Sequence, residues 1–310
     1  MAKAKYRVTN WHDYNKALKK RGLLTIWLEE GFEKTWYAFT SGVRKRGRPF
    51  IYSDACMKLL ATLRHVFKLA LRQLEGFINS LLDLMGVELK VPEFSRLSRR
   101  LSESLKHLKY SKPEEINHIV IDSSGLKVFG EKELIETQKR KPYFRRIWRK
   151  LHIAIDGKGF IKASEMTNHK VNDRACFEPL IDTVGSESID EALADTGYDS
   201  HKIYKTCEDR NIKTIIPPPR NAKQTYTNKG NTWRNETINY IQEKGKHAWE
   251  HHNNYGRRNR VENTFYRLKT IFNRQLISRT WKNQEAESRL ICELLNQMTI
   301  LGMPSTQKVS

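Results

Sequence analysis

The chain has 310 residues, with 56 Lys and Arg against 35 Asp and Glu, a net charge of +21 and a pI near 9.8. Hydrophobic residues make up 38%, with 12 Phe, 12 Tyr and 7 Trp, which excludes a disordered basic tail and leaves room for two or three domains with real cores. No run of about 18 apolar residues offers a membrane span, Met1-Ala-Lys-Ala-Lys-Tyr-Arg7 is not a signal peptide, and Cys56, Cys176, Cys207 and Cys292 lie too far apart for a zinc site or a disulfide framework.

A folded protein this basic is expected to bind a polyanion, nucleic acid being the common one and an anionic membrane surface the alternative. The first 50 residues end in Arg44-Lys-Arg-Gly-Arg-Pro49. Arg46 and Arg48, with thin Gly and Pro beside them, suit a narrow A·T minor groove; a plain basic linker before a helix is the other reading. Residues 53–105 read as helical: Ser53 or Asp54 caps a helix through Met57, Leu59, Leu60 and Leu63, and the spacing from Leu69 to Met85 continues it. After Val91-Pro-Glu-Phe-Ser95, a short basic helix carries Arg96, Arg99 and Arg100. This is either a helix-turn-helix reader of DNA or a three-helix bundle with a solvated basic face.

From Ile116 the texture changes to strands. Ile116-Asn-His-Ile-Val-Ile-Asp122 is a buried strand ending on an acid, with Leu126–Phe129 as a possible extension. Trp148–Asp156 and Phe160–Met166 flank the turn at Gly157-Lys-Gly159. A helix follows from Asp173 to Val184, and Ile189-Asp-Glu-Ala-Leu-Ala-Asp195 is a fourth strand, again ending on an acid. Asp199 is expected to cap the helix that runs to about Arg210. Lys213-Thr-Ile-Ile216 is a fifth strand, stopped by Pro217-Pro-Pro219, and a polar insertion at about 217–250 holds Trp233 and Trp249. Those two Trp either pack the insertion or stack on an extruded base. A last helix covers about 284–302.

Between them lies Tyr255-Gly-Arg-Arg258-Asn-Arg-Val-Glu262-Asn-Thr-Phe-Tyr-Arg-Leu-Lys269. As one helix, at about 100° per residue, it puts Tyr255, Arg258, Glu262 and Lys269 within about 60° of one another. Val261, Phe265, Leu268 and Phe272 form the neighbouring apolar stripe. A solvated basic helix with one salt-bridged Glu has the same spacing.

Three strands, a helix, a strand, a helix, a strand and a helix is the element order of an α/β ribonuclease-H-like domain. The first and fourth strands are neighbours there, so Asp122 and Asp195 would share one edge, with Glu262 completing the cluster. Three hard oxygen ligands suit Mg²⁺, and two such ions about 4 Å apart can activate a nucleophile and stabilise a leaving oxygen. Arg258 and Lys269 can hold phosphates, and Tyr255 can donate to a phosphate or stack on a base. Asp156 is discounted as a turn residue. Of the histidines, His118 and His152 read as structural, and only His169 is kept near the site.

The tract Asp195-Thr-Gly-Tyr-Asp-Ser200, with Tyr255, Arg258, Glu262 and Lys269 at their spacing, resembles the DDE transposases of bacterial insertion sequences, closest to the fifth insertion-sequence family. The likeness extends from Arg48-Pro49 through Val120-Ile-Asp-Ser-Ser-Gly125 to Leu295–Pro304. It implies cleavage at terminal inverted repeats and joining of 3′ ends to target DNA, dependent on Mg²⁺, with Mn²⁺ able to substitute. Asp122, Asp195 and Glu262 carry over as catalytic metal ligands, and Tyr255, Arg258 and Lys269 as DNA contacts near the cut. The expected organisation is an all-α DNA-binding region at 1–112 and a catalytic domain at 113–310. The expected partners are DNA and, when assembled on it, further copies of the chain; the expected location is the cytoplasm, at the nucleoid, with no membrane role. Two rival functions are a nuclease of the same fold without strand transfer, and a non-catalytic DNA-binding protein derived from a transposase.

Overall fold

The computed structural model describes residues 5–39, 50–110, 116–137, 140–185, 189–225 and 231–309. In chain order, β1 (Lys5–Val8), α1 (Trp11–Arg21), α2 (Leu24–Trp27), α3 (Asp54–Val66), α4 (Leu71–Met85) and α5 (Phe94–Ser104) precede β2 (His118–Thr137), β3 (Arg140–Asp156) and β4 (Ile161–Asn168). Then come α6 (Phe177–Val184), β5 (Glu191–Leu193), α7 (His201–Asp209), β6 (Lys213–Ile215), α8 (Thr232–Lys244), α9 (Lys246–His252), α10 (Asn259–Ile271), α11 (Trp281–Leu301) and β7 (Thr306–Val309). The chain divides into two compact units, Met1–Lys109 with Thr280–Ser310, and Tyr110–Arg279.

The Tyr110–Arg279 unit is built on a five-stranded sheet in the order β4-β3-β2-β5-β6. β2, β3 and β4 pair antiparallel, while β5 and β6 run parallel to β2. The first strand of the unit is thus central and the fourth lies beside it, an arrangement consistent with a ribonuclease-H-like fold. Ile119, Val120, Ile121, Ile153, Ala154 and Ile155 are all fully buried, so these strands are covered on both faces, as their unbroken apolar runs require. On one face Ile119, Ile121, Ala154 and Ala163 join Phe177, Leu180 and Ile181 of α6 and Ile203 and Tyr204 of α7 in a single core. α10 packs against β2, and its apolar stripe, Val261, Phe265, Leu268 and Phe272, is buried.

Two features differ from the sequence reading. β2 does not stop near Phe129; it continues to Thr137 and returns through β3 as one long ribbon. The charges between residues 131 and 146 leave no apolar alternation to mark it. The polar insertion, in turn, contains α8 and α9. Asp199 does not cap α7. It accepts Arg234 Nε and Nη2 from α8 at 2.9 and 3.1 Å, and Ser200 takes the cap position. Trp249 is buried and Trp233 packs against the sheet core, so both serve the insertion as packing residues.

In the other unit Ser53 caps α3, accepting the Cys56 N–H at 2.9 Å. α5 begins at Phe94, one residue before the expected Ser95 cap. α11 packs against α1, α3 and α5, with Leu290, Ile291, Leu294, Leu295 and Met298 buried, and therefore does not belong to the sheet-bearing unit. The unit is not all-α. β1 and β7 form an antiparallel ribbon, Lys5 opposite Val309 and Val8 opposite Thr306. Two four-residue strands at opposite ends of the chain carry no turn signal that would announce their pairing. Among the described residues no helix is long and apolar enough to cross a membrane.

Candidate active site

β2 and β5 lie side by side in register, Ile119 opposite Ala192 and Val120 opposite Leu193. Asp122 and Asp195 each follow the Val120–Leu193 pair by two residues, so both emerge at the same edge of the sheet. Side chains alternate along a strand, so Asp122 shares its face with Ser124. The Asp195 carboxylate accepts the Gly197 N–H at 2.8 Å. A Cβ at position 197 would stand 2.9 Å from that same oxygen, so a side chain there would push the carboxylate aside. Glu262 comes from the first turn of α10.

Tyr255–Arg258 is a separate 3-10 turn, entered through the left-handed Asn254, and α10 begins at Asn259. The single-helix stripe drawn from the sequence is therefore broken before Glu262. The turn aims Arg258 into the acids. Its Nη1 donates to Glu262 Oε1 at 2.7 Å, and its Nη2 lies 3.4 Å from Asp122 Oδ2 and 4.0 Å from Asp195 Oδ2. All three carboxylates thus meet around one guanidinium.

Their settings differ. Asp122 is 15% exposed, against 43% for Asp195 and 56% for Glu262. Burial pushes the Asp122 carboxyl up to about 6, and the neighbouring Asp195 and Glu262 push the same way; the Ser123 N–H and Arg258 oppose the rise. Burial works against the Arg258 charge, but Tyr255, Asp122 and Glu262 together raise its pKa. The Tyr255 hydroxyl donates to the Ala194 carbonyl at 3.0 Å, directly before Asp195, and its ring packs on Trp249 with centroids 5.4 Å apart. Burial raises the Tyr255 pKa. Lys269 Nζ donates to Ser124 Oγ at 2.6 Å; burial and the nearby Arg274 lower its pKa.

Two residues at this edge escaped the sequence reading. Ser124 stands two residues beyond Asp122, and the period-two rule could have singled it out. Arg174 donates from Nε to the Gly197 carbonyl at 2.7 Å and so braces the turn beside Asp195; no spacing in the sequence points to it. Of the other expected residues, His169 lies against Trp148, with ring centroids 5.6 Å apart. Asp156 is buried in its turn with Lys162, away from the three acids. Arg46 and Arg48 lie outside the described residues. On α5, Arg99 turns back to Ser95, and Arg100 pairs with Asp54 at 2.6 Å while stacking over Phe50. Arg96 on the same helix is half-buried.

The donor set suits a divalent cation in kind: three hard carboxylates, already gathered about a positive group. Among the described residues no three His, Cys, Asp or Glu side chains come close enough to share one ion, because the guanidinium stands between them.

Two family models, each described as a transposase DDE domain, match the chain at residues 19–131 and 113–296, the second spanning more than half of it. Among solved structures, a piggyBac transposase synaptic complex with hairpin DNA is similar at 11% identity over 95% of this chain and 76% of that one, with a TM-score of 0.44. A pre-cleavage Mos1 transpososome is similar at 13% identity over 84% of this chain and 80% of that one, with a TM-score of 0.22.

Proposed function

The chain belongs to the transposase DDE-domain family, and from that premise we propose that Asp122, Asp195 and Glu262 are its catalytic carboxylates, acting on DNA held by Arg258, Lys269 and Tyr255. The observation that carries this is the meeting of Asp122 within β2, Asp195 just after β5 and Glu262 of α10 around Arg258. DDE transposases use divalent metal ions, and here the three acids would hold them, with Mg²⁺ the best match to an all-carboxylate set. Such ions, when bound, activate a nucleophile and stabilise the leaving 3′ oxygen.

The chain's own residues do the rest. Asp122 sits deepest and is kept in place by the sheet. Asp195 is held by the Gly197 N–H. Tyr255 fixes the backbone before Asp195 through the Ala194 carbonyl. Arg258 neutralises the acids while no other cation is present, and its planar fork suits two phosphate oxygens. DNA binding would draw it from carboxylate to phosphate. Lys269, from α10, reaches Ser124 two residues along β2 from Asp122, where it would hold the backbone of the same strand of DNA. The substrates are the ends of the mobile element, of a kind with the fifth insertion-sequence family, and the joined product is target DNA. Copies of the chain assemble on these ends, in the cytoplasm at the nucleoid.

The test is cutting and joining of duplex DNA that borders the gene, with purified protein and Mg²⁺. Asp195→Asn should leave DNA binding intact and abolish both reactions, because an amide is a poor ligand for a hard cation. Wild-type rates in that variant would remove Asp195 from the site. Cutting without any joined product would favour a nuclease of the same fold.

A further inference from the structure

The ribbon of β2 and β3 leaves the sheet that it begins in. β4 pairs with β3 only between Arg149 and Ile155, and β5 pairs with β2 only at His118–Val120. Beyond Lys127 and Trp148 the two strands therefore have only each other among the described residues, as far as Thr137 opposite Arg140. At about 3.3 Å per residue, that limb is roughly 30 Å long. Its base is anchored to the chain that follows α10. The Lys127 N–H donates to the Arg274 carbonyl at 2.9 Å and the Lys127 carbonyl accepts the Leu276 N–H at 2.8 Å, just after α10. Phe129 lies 5.6 Å from the Arg279 guanidinium. The limb springs from the end of β2 that carries Asp122, so it reaches outward from the catalytic edge.

Its charge is one-sided. Residues 127–150 hold nine Lys and Arg against three Glu, and the returning stretch 139–150 has seven Lys and Arg with no acid. Charges on exposed edges discourage strand-to-strand aggregation, but either sign serves that purpose. The register also sets Lys132 opposite Arg146. A two-stranded ribbon has the width of a duplex groove. Phe144, on the returning strand, is 68% exposed and offers an apolar contact.

We propose that this ribbon is a DNA-binding arm that grips duplex DNA next to the catalytic edge, chiefly through phosphates. The inference rests on the reading of the site as one that handles DNA, and adds a surface outside the acid centre.

The experiment uses the full chain without divalent metal and a fluorescent 30-base-pair duplex of arbitrary sequence, titrated over a salt series. Each phosphate contact contributes about 0.9 to the slope of log K against log salt. The double variant Arg145→Glu, Arg146→Glu should lower that slope by about 2 and weaken binding at least tenfold near physiological salt. Unchanged slope and affinity, with an unchanged thermal melt, would overturn the arm. If the variant melts early, Phe144→p-benzoylphenylalanine decides: a light-induced adduct to DNA is expected, whereas an adduct to a second copy of the chain formed without DNA, or no adduct, counts against it. Failure of the catalytic reading has a separate signature, since loss of metal-dependent cutting leaves this metal-free contrast untouched.

Discussion

Asp122 binds its proton more tightly in the fold than in the unfolded chain, because burial lifts its carboxyl to about 6. That contribution to stability is complete below about pH 4 and is lost as pH rises through about 6. Above this range the ionised, desolvated carboxylate opposes folding of the metal-free protein by about 3 kcal/mol. Asp122→Asn, expected to end catalysis, should therefore raise the melting temperature of metal-free protein near pH 8 and leave it almost unchanged near pH 4. Melting curves of both proteins across that range check the sign; a gap that does not widen with pH contradicts the burial account. Tyr255 offers a second test. Its hydroxyl proton is already given to Ala194. Tyr255→Phe should weaken Mn²⁺ binding to DNA-free protein, read from the signal of free Mn²⁺ by electron paramagnetic resonance, with little loss of DNA affinity, because the ring that can stack on a base is kept. The reverse pattern would make the phenol a DNA contact alone.

At the scale of elements, α8 is tied to the turn before α7 by a buried ion pair. Asp199 is 7% exposed and Arg234 11%, and the two meet through both guanidinium edges. Removing one partner of such a pair leaves a buried charge, so Arg234→Ala should destabilise the Tyr110–Arg279 unit by about 3 kcal/mol. Adding Asp199→Asn should restore part of the loss, and denaturant melts of the single and double variants measure that coupling. α10 was legible because its stripe, Val261, Phe265, Leu268 and Phe272, repeats at the helical period and is buried as expected. Asp122 and Asp195 were legible because each ends an apolar run. What stayed hidden lacks local periodicity. The ribbon beyond Lys127 is charged on both limbs, α8 and α9 sit in a polar stretch, and the break between the Tyr255–Arg258 turn and α10 falls inside a run whose spacing fits one helix. Ser124 and Arg174 act through neighbours that only the folded chain assembles.

At the scale of the whole molecule, the helical unit is discontinuous in sequence: Thr280–Ser310 returns to join Met1–Lys109. α11 supplies Leu290, Ile291, Leu294, Leu295 and Met298 to its interior. At about 1.5–3 kcal/mol for each large apolar side chain, these five contribute as much as the roughly 5–15 kcal/mol by which a domain is stable. A fragment of residues 1–112 should therefore lack a cooperative melt, whereas the same fragment joined by a flexible linker to residues 280–310 should show one. Circular dichroism melts of the two fragments compare them directly, and a sharp transition in the shorter one would mean that α11 is dispensable.

The pairing of β1 with β7 also sets an order of events during synthesis. Residues 5–8 are made some 300 residues before their partners, residues 306–309. At about 5–20 residues per second that delay lasts on the order of 15–60 s. The sheet-bearing unit, whose parts all lie between residues 110 and 279, can fold in the interval. Synthesis of the sheet-bearing unit is thus complete while the helical unit still waits for its last helix and strand.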